Sequence, residues 1–322
     1  MAFRRDPRGA YGMAGTRKNL LIAGSHRSGS TYLGSVLRRS GKYWYLHEPC
    51  NRRFGMAKVR HSFPYAAIDD PTEYNPVIDE LVRGVPAYKS FNFSAARREK
   101  LRPYMSNISG QLRHAAYGMF LKHLWPMLVK DPIASFAADY VWKQFDFDVI
   151  VLIRHPAAFY QSIRRRNWSF DFRNFLQQDQ LMARHLSDYR EMMTRDLSKV
   201  EEISLLWGCI YKVLADFHAE ADGAWIWLRH EDLCLDPMGE ISAIMDRLDI
   251  PMSRRVEAYI RKTTGGDTAD ARGDRLHDLV RNSEDVAYSW RRKIGRDELQ
   301  RIRDITMPVA GKYYTDAEWA ID

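Results

Sequence analysis

Two short segments of the chain carry residue types that could hold an anion. The first covers residues 24–31 (GSHRSGST), which follow a short apolar run and precede a stretch typical of a helix. Small residues let the backbone wrap around a phosphate, and the free N–H groups at the start of a helix point at it. The spacing matches the phosphate loop G-x4-G-K-[ST], except that Ser30 occupies the lysine position. Arg27 supplies a cation within the loop instead.

The second segment begins at Arg154, directly after the apolar run DVIVLI at residues 148–153. An arginine at the carboxyl end of a central strand stands in the crevice where open α/β sheets bind ligands. Its planar donor fork suits a phosphate, and Ser162, eight residues later on the next predicted helix, adds a hydroxyl group. We predict that Arg154 and Ser162 share one anion.

The elements that position these residues alternate between strands and helices. Short apolar or aromatic runs predict strands at residues 19–24, 42–46, 125–130, 148–153 and 224–229. Helical patterns cover residues 30–39, 133–144, 156–166, 174–189 and 201–221. Strands separated by helices indicate an α/β fold with a central parallel sheet and helices on both faces.

The chain of 322 residues predicts one such domain, residues 19–322, after a flexible basic tail at residues 1–18. Residues 51–86 and 167–199 interrupt the alternation and are interpreted as insertions over one edge. Residues 164–182, which mix cations and aromatic rings, are a candidate lid. Hydrophobic residues at 45% and charged residues at 28% are typical of a globular protein and argue against a disordered one.

Charge and cysteine content suggest partners and location. The net charge of +8 favours anionic partners, but we find no nucleic-acid-binding signature. No apolar run has the length of a membrane helix, and no secretory signal is predicted. The three cysteines, Cys50, Cys209 and Cys234, suit neither a disulfide framework nor a zinc cluster. We therefore expect a cytoplasmic protein, and the pattern predicts no metal site.

The segment HRSGSTYL after a strand resembles the 5′-phosphosulfate loop of sulfotransferases that use 3′-phosphoadenosine 5′-phosphosulfate (PAPS), in their bacterial and carbohydrate-type branch. The resemblance implies a P-loop-like three-layer fold. It also implies a set of PAPS-binding residues: His26, Arg27, Ser28, Gly29, Ser30 and Thr31 in the loop, Arg154 and Ser162 at the 3′-phosphate, and Arg292 near the adenosine. Arg27 and Arg154 are then expected at opposite ends of one bound adenylate.

The catalytic residues follow from the same resemblance. Lys130 stands 24 residues before Arg154, where the family has a lysine that touches the sulfuryl group. Pro132 occupies the position at which the cytosolic branch has its catalytic histidine, so that base does not carry over. Glu48, after the second strand, is our candidate for the base, with His47 and His26 as alternatives. A purely structural Glu48 would instead hold a loop or pair with Arg52 or Arg53.

Three functions are compatible with these residues. The first is a sulfotransferase that moves the sulfuryl group of PAPS to a hydroxyl of a carbohydrate or small molecule, with Glu48 as base and with Arg27 and Lys130 stabilising charge. The second is a P-loop nucleotide kinase or NTPase, disfavoured by the serine at position 30. The third is a non-catalytic module that binds a nucleotide or polyanion. The sequence specifies neither the acceptor nor the oligomeric state.

Overall fold

The centre of the molecule is a five-stranded parallel sheet. A computed structural model describes residues 17–84, 86–89, 125–264 and 287–321. The strands are β1 (Leu20–Gly24), β2 (Trp44–His47), β3 (Met127–Lys130), β4 (Asp148–Ile153) and β5 (Ile226–Arg229). Their spatial order is β2-β3-β1-β4-β5, and each neighbouring pair is parallel.

In the described part of the chain, nine α-helices of six or more residues accompany the sheet. They are α1 (Ser30–Arg39), α2 (Asn75–Arg83), α3 (Ala138–Phe145), α4 (Pro156–Arg165), α5 (Lys199–Glu220), α6 (His230–Leu235), α7 (Pro237–Arg247), α8 (Arg254–Thr264) and α9 (Arg296–Ala310). Shorter helical turns occupy Pro132–Ala137, Arg173–Leu176, Asp179–Leu181, Met182–Leu186, Ser187–Tyr189, Arg190–Met193 and Asp316–Trp319. No helix within the described ranges has the length and apolar character required to cross a bilayer.

The sheet separates two apolar clusters. On β1, Leu21 and Ala23 belong to the larger cluster, whereas Leu20 and Ile22 belong to the smaller one. This alternation is a direct consequence of the two-residue period of a strand. Side chains of α3, α4, α5 and α9 join the larger cluster, and those of α1, α6, α7 and α8 join the smaller one. Both faces are therefore covered, and the predicted α/β fold with a parallel sheet is confirmed.

The strand predictions agree with the structure to within two residues at each end, and α1 and β4 have the predicted bounds. The single helix predicted over residues 174–189 is wrong, because the chain there forms separate short turns. Gln178 shows the physical reason. Its side chain binds the backbone N–H of Tyr65 (2.8 Å) and the carbonyl of Phe63 (3.1 Å). These contacts with a distant segment replace the regular helix.

The two interruptions of the α/β rhythm pack against each other. The Asn174 side chain accepts hydrogen bonds from the Ser62 backbone (2.8 Å) and from Arg52 (3.0 Å). The rings of Phe63 and Phe175 meet edge to face at 5.8 Å. Residues 51–86 and 167–199 thus form one continuous layer. Most of the predicted basic tail, residues 1–16, lies outside the described residues.

Candidate active site

One loop and four single residues that follow or end the strands of the sheet lie at one of its edges. Because all strands run in parallel, their carboxyl ends lie on the same side. β1 leads into the loop of residues 25–29, β2 into Glu48, and β3 ends at Lys130. β4 leads into Arg154, and β5 into His230. β1 lies between β3 and β4. The strand order reverses at this place, and α/β sheets bind their ligands at such a switch point.

The loop between β1 and α1 has the geometry of an anion cradle. Gly24 (φ 123°) and Gly29 (φ 97°) both have left-handed backbone, and a Cβ atom on Gly24 would lie 2.2 Å from the Leu152 carbonyl oxygen. The hydroxyl of Ser28 donates to the Ser25 carbonyl (2.7 Å), so this side chain shapes the loop. No described side chain caps α1, and its first turn carries no acidic residue. The N–H groups at its start therefore face the loop with neither a capping side chain nor an acidic side chain of the first turn to bind them.

The two predicted anion-binding segments are in direct contact. The Arg154 guanidinium donates from Nη1 to the carbonyl of Arg27 (2.8 Å). The Nε atom of Arg27 in turn donates to the Ser162 hydroxyl (3.2 Å). Arg154 is 8% exposed, and within the described part of the chain its Nε atom has no hydrogen-bond partner. Arg27 therefore lies beside Arg154 and Ser162, although more than a hundred residues of chain separate it from either of them.

Two buried residues of α5 hold this arrangement, and the sequence analysis missed both. Trp207 donates from its indole N–H to the Arg154 carbonyl (2.8 Å). The Tyr211 hydroxyl oxygen accepts the Ser25 N–H (3.1 Å) and lies 2.8 Å from the Leu152 carbonyl oxygen. Trp207 and Tyr211 are four residues apart and share one helix face. Two polar-tipped aromatic residues at this spacing in an apolar helix are the signal that could have revealed them.

Glu48 and Lys130 form a close ion pair at the ends of β2 and β3. Lys130 Nζ lies 2.5 Å from Glu48 Oε1, and the two side chains are 2% and 16% exposed. The Glu48 N–H also donates to the Lys130 carbonyl (2.9 Å), and the Asn51 amide donates to Glu48 Oε2 (3.0 Å). Glu48 adopts a left-handed backbone (φ 48°), a strained conformation that these contacts stabilise.

The charge of Lys130 determines the protonation state of Glu48. Burial alone would raise the pKa of Glu48, but the charge and hydrogen bond of Lys130, with smaller contributions from His47 and His26, lower it to about 2. Glu48 is therefore ionised, as a carboxylate, throughout the range from about pH 5 to 8. Its partner is Lys130 rather than Arg52 or Arg53; Arg52 contacts Asn174 instead.

Asp131 fixes the backbone that carries Glu48. Its fully buried carboxylate accepts the N–H groups of Cys50 (2.6 Å) and Ile133 (2.9 Å). Burial, reinforced by the nearby charge of Glu48, raises the pKa of Asp131 to about 7. The segment Lys130-Asp131 thus contacts both the side chain and the loop of Glu48. Pro132 begins the next helical turn, and it offers no group that could accept a proton.

The alternative bases occupy different surroundings. His26 packs edge to face against Phe63 (5.6 Å) and Trp168 (6.3 Å). Burial lowers the pKa of His26, Glu48 opposes this effect, and Lys130 and Arg27 lower the pKa further. The imidazole of His26 thus lies among the predicted catalytic charges. His47 is more exposed, and its Nε2 atom lies 3.9 Å from Glu48 Oε1.

His230 is a further candidate for binding a ligand at this edge, and the sequence analysis did not single it out. It is 8% exposed, and its Nδ1 atom has no hydrogen-bond partner within the described residues. A Cβ atom on Gly29 would lie 3.0 Å from this nitrogen, so the imidazole faces the start of α1. The sequence feature that could have indicated His230 is its position directly after β5, which corresponds to the position of Arg154 directly after β4.

The remaining predicted residues lie around this edge or next to it. Ser30 is buried and Thr31 half-buried in the first turn of α1. Arg292 is exposed, whereas its neighbour Trp290 is buried and stacks on His155 at 4.6 Å. His155 precedes α4, so this stacking brings the Arg292 segment beside the residue that follows Arg154. Among the described residues, no group of three or more His, Cys, Asp or Glu side chains could hold a metal ion.

Comparison with known proteins identifies the family. A model of the family described as "Sulfotransferase family" matches residues 19–254, which is most of the chain. The chain belongs to the sulfotransferase family. The family resemblance predicted from the phosphate loop is thereby confirmed.

Curated relatives of this sulfotransferase match over short segments. Carbohydrate sulfotransferase 6 of Homo sapiens is 26% identical over 83 residues, which cover 26% of this chain and 21% of the relative. Carbohydrate sulfotransferase 1 of Rattus norvegicus is 33% identical over 75 residues, which cover 23% of this chain and 18% of the relative. The matched part spans about one fifth of the length of these relatives.

Solved structures similar to this chain include two sulfotransferases. A sulfotransferase domain from the curacin biosynthetic pathway has 14% identity and a TM-score of 0.47, covering 90% of this chain and 97% of its own. Sulfotransferase STF9 from Mycobacterium avium has 14% identity and a TM-score of 0.47, covering 94% of this chain and 78% of its own.

Proposed function

We propose that this sulfotransferase transfers the sulfuryl group of PAPS to the hydroxyl group of a carbohydrate or small-molecule acceptor. The observation that carries the proposal is the contact between Arg154 and the Arg27 carbonyl. It brings two cationic strand ends together, as a ligand with a phosphate at each end requires. Family membership supports the reaction class.

The residues present fit such a donor. The loop of residues 25–29 and the start of α1 would hold the 5′-phosphosulfate, because the N–H groups at the start of α1 face the loop. Arg154, whose buried Nε atom has no described partner, would bind the 3′-phosphate together with Ser162. His230 faces the same loop and would add a further contact. Bound there, PAPS supplies an activated sulfuryl group.

The chain's own residues perform the remaining chemistry. Glu48, ionised and adjacent to the loop, would accept the proton of the acceptor hydroxyl. Lys130 and Arg27 would stabilise the negative charge that develops on the bridging and equatorial oxygens during in-line transfer. This division of roles needs no metal ion.

The acceptor is proposed to approach from the side of residues 51–86 and 167–199. There the rings of Phe63 and Trp168 lie against His26, and aromatic faces pack well on sugar or aryl rings. The named relatives are carbohydrate sulfotransferases, which supports a glycan acceptor. A cytoplasmic location is part of the same proposal.

Thermal unfolding tests the donor site without knowledge of the acceptor. We expect 3′,5′-adenosine bisphosphate (PAP), the product of the donor, to stabilise the protein with EDTA present. At a ligand concentration of 100 Kd the gain would be about 2.7 kcal/mol, enough to raise Tm by several degrees. ATP with magnesium is expected to have little effect. Stabilisation by ATP alone, abolished by EDTA, would contradict the proposal and indicate a kinase.

The pH dependence of turnover tests the identity of the base. Because the pKa of Glu48 is lowered to about 2, the carboxylate form persists as pH falls, and kcat/KM should show no acid limb between about pH 5 and 8. A base with the ordinary histidine pKa would lose activity in that range as its imidazole became protonated, whereas the lowered pKa of His26 would place its acid limb at lower pH. The acceptor for this assay would be isolated by incubating the enzyme with labelled PAPS and fractions of cell extract. An acid limb that His26→Gln removes would contradict the role of Glu48.

A further inference from the structure

The ammonium group of Lys130 is already paired with one anion at the candidate donor site. In the described structure it contacts Glu48 Oε1 at 2.5 Å. Lys130 is also the last residue of β3, beside β1, and is in register with Ile22, three residues before the loop begins at Ser25. The sulfuryl group of a donor held in that loop would need the same cation.

The position of Lys130 restricts how far its ammonium group can move. An added Cβ atom on Gly34 of α1 would lie 3.2 Å from Lys130 Cγ, so the stem packs closely against the helix. The side chain is 2% exposed. A buried, confined lysine cannot leave one anion for solvent without a large desolvation cost. It can move between two anions that are both within reach of its Nζ atom.

From this geometry we propose that the Glu48–Lys130 ion pair determines how well the enzyme distinguishes PAPS from PAP. This inference rests on the proposed function. When PAPS binds, Lys130 leaves Glu48 for the sulfuryl group, and Glu48 becomes free to receive the acceptor proton. When PAP binds, no sulfuryl group is present and Lys130 stays with Glu48. The free energy needed to break the ion pair thus lowers the affinity for PAPS but not for PAP. The lower affinity for PAPS limits accumulation of an unproductive donor complex.

Equilibrium binding of PAPS and PAP to the full-length protein, measured by calorimetry without acceptor, tests the exchange. Glu48→Gln removes the competitor, so the Kd for PAPS should fall about 10-fold or more, the size of one charged hydrogen bond, while the Kd for PAP stays unchanged. Glu80→Gln is the matched control. It removes the carboxylate of another lysine pair, Lys58–Glu80 (2.8 Å), outside the candidate site, and both Kd values should stay as in the wild type.

A double-mutant cycle separates exchange from simple repulsion between Glu48 and the donor. With Lys130→Met present, Glu48→Gln should no longer tighten PAPS binding appreciably, because no cation is left to share. A gain of equal size in both backgrounds would show direct repulsion and overturn the proposal. An unchanged ratio of the two Kd values in Glu48→Gln would overturn it as well.

Failure of the proposed function has a separate signature. In that case neither PAPS nor PAP binds the wild type or Glu48→Gln, whereas failure of the exchange leaves both nucleotides bound at an unaltered ratio. Folding of Lys130→Met is checked by its thermal unfolding, because the substitution leaves a buried carboxylate unpaired. If that variant does not fold, Lys130→Gln takes its place in the cycle, because the amide lacks the charge but can keep a hydrogen bond to Glu48.

Discussion

Replacing Glu48 by glutamine is expected to lower sulfuryl transfer by about 10²- to 10⁴-fold, the usual contribution of a general base. The amide has the size of the carboxylate and can keep a hydrogen bond with Lys130 or Asn51, but it cannot accept the acceptor proton. PAP binding should persist, since Glu48 is not among the residues proposed to hold the phosphates. Initial rates with labelled PAPS, measured beside a PAP titration, provide both quantities.

Glu220→Gln serves as the control for this loss, because it makes the same chemical change in the Lys143–Glu220 ion pair (2.8 Å) at the end of α5. Its rate should equal that of the wild type. Turnover retained by Glu48→Gln at more than a tenth of the wild-type rate would rule out Glu48 as the base. Loss of turnover in His26→Gln alone would instead transfer the role to His26.

Replacing Arg154 by alanine is expected to raise the Kd for PAP by roughly 10- to 100-fold, because a charged hydrogen bond contributes about 1.5–3 kcal/mol. The substitution also removes the donor to the Arg27 carbonyl, so the loop loses one of its supports. Arg154→Lys keeps the charge but not the planar fork, and we expect it to recover only part of the affinity.

The control for Arg154→Ala is Arg247→Ala. Arg247 also donates to a backbone carbonyl, that of Gly223 (2.6 Å), but it lies at the end of α7 outside the candidate site. The Kd of Arg247→Ala for PAP should equal that of the wild type. An unchanged Kd in Arg154→Ala, with Tm also unchanged, would exclude Arg154 from the phosphate site.

Local patterns in the sequence predicted much of this arrangement. The bounds of α1 follow from the Gly29 turn before it and from Ser40-Gly41 after it, and β4 is a run of five apolar residues after Asp148. Arg154 could be predicted as a site residue because a strand ends directly before it. Such signals depend on neighbours in the chain, and they need no knowledge of the sheet order.

The partner of Glu48 could not be predicted in this way. The ion pair requires β2 to lie beside β3, although the two strands are separated by about 80 residues of chain. Strand order in a parallel sheet is decided by tertiary packing and crossover connections, which leave no local pattern. The same holds for Trp207 and Tyr211, whose hydrogen bonds depend on where α5 packs.

The broken helix at residues 174–189 is the opposite case, in which a local pattern gave the wrong result. The periodicity there is helical, but Asn174 and Gln178 bond to the backbone of residues 62–65. Tertiary hydrogen bonds outweigh helix propensity when the difference per residue is below about 1 kcal/mol.

The strand order has a consequence for how new specificities could arise. Arg27 and Arg154 are attached to β1 and β4, whereas Phe63 and Trp168 belong to the layer formed by residues 51–86 and 167–199. Under the proposed function, nucleotide recognition and alcohol selection would thus be encoded by separate parts of the chain. Grafting that layer from another member of the family would redirect the enzyme to a different alcohol while its affinity for the nucleotide was inherited intact.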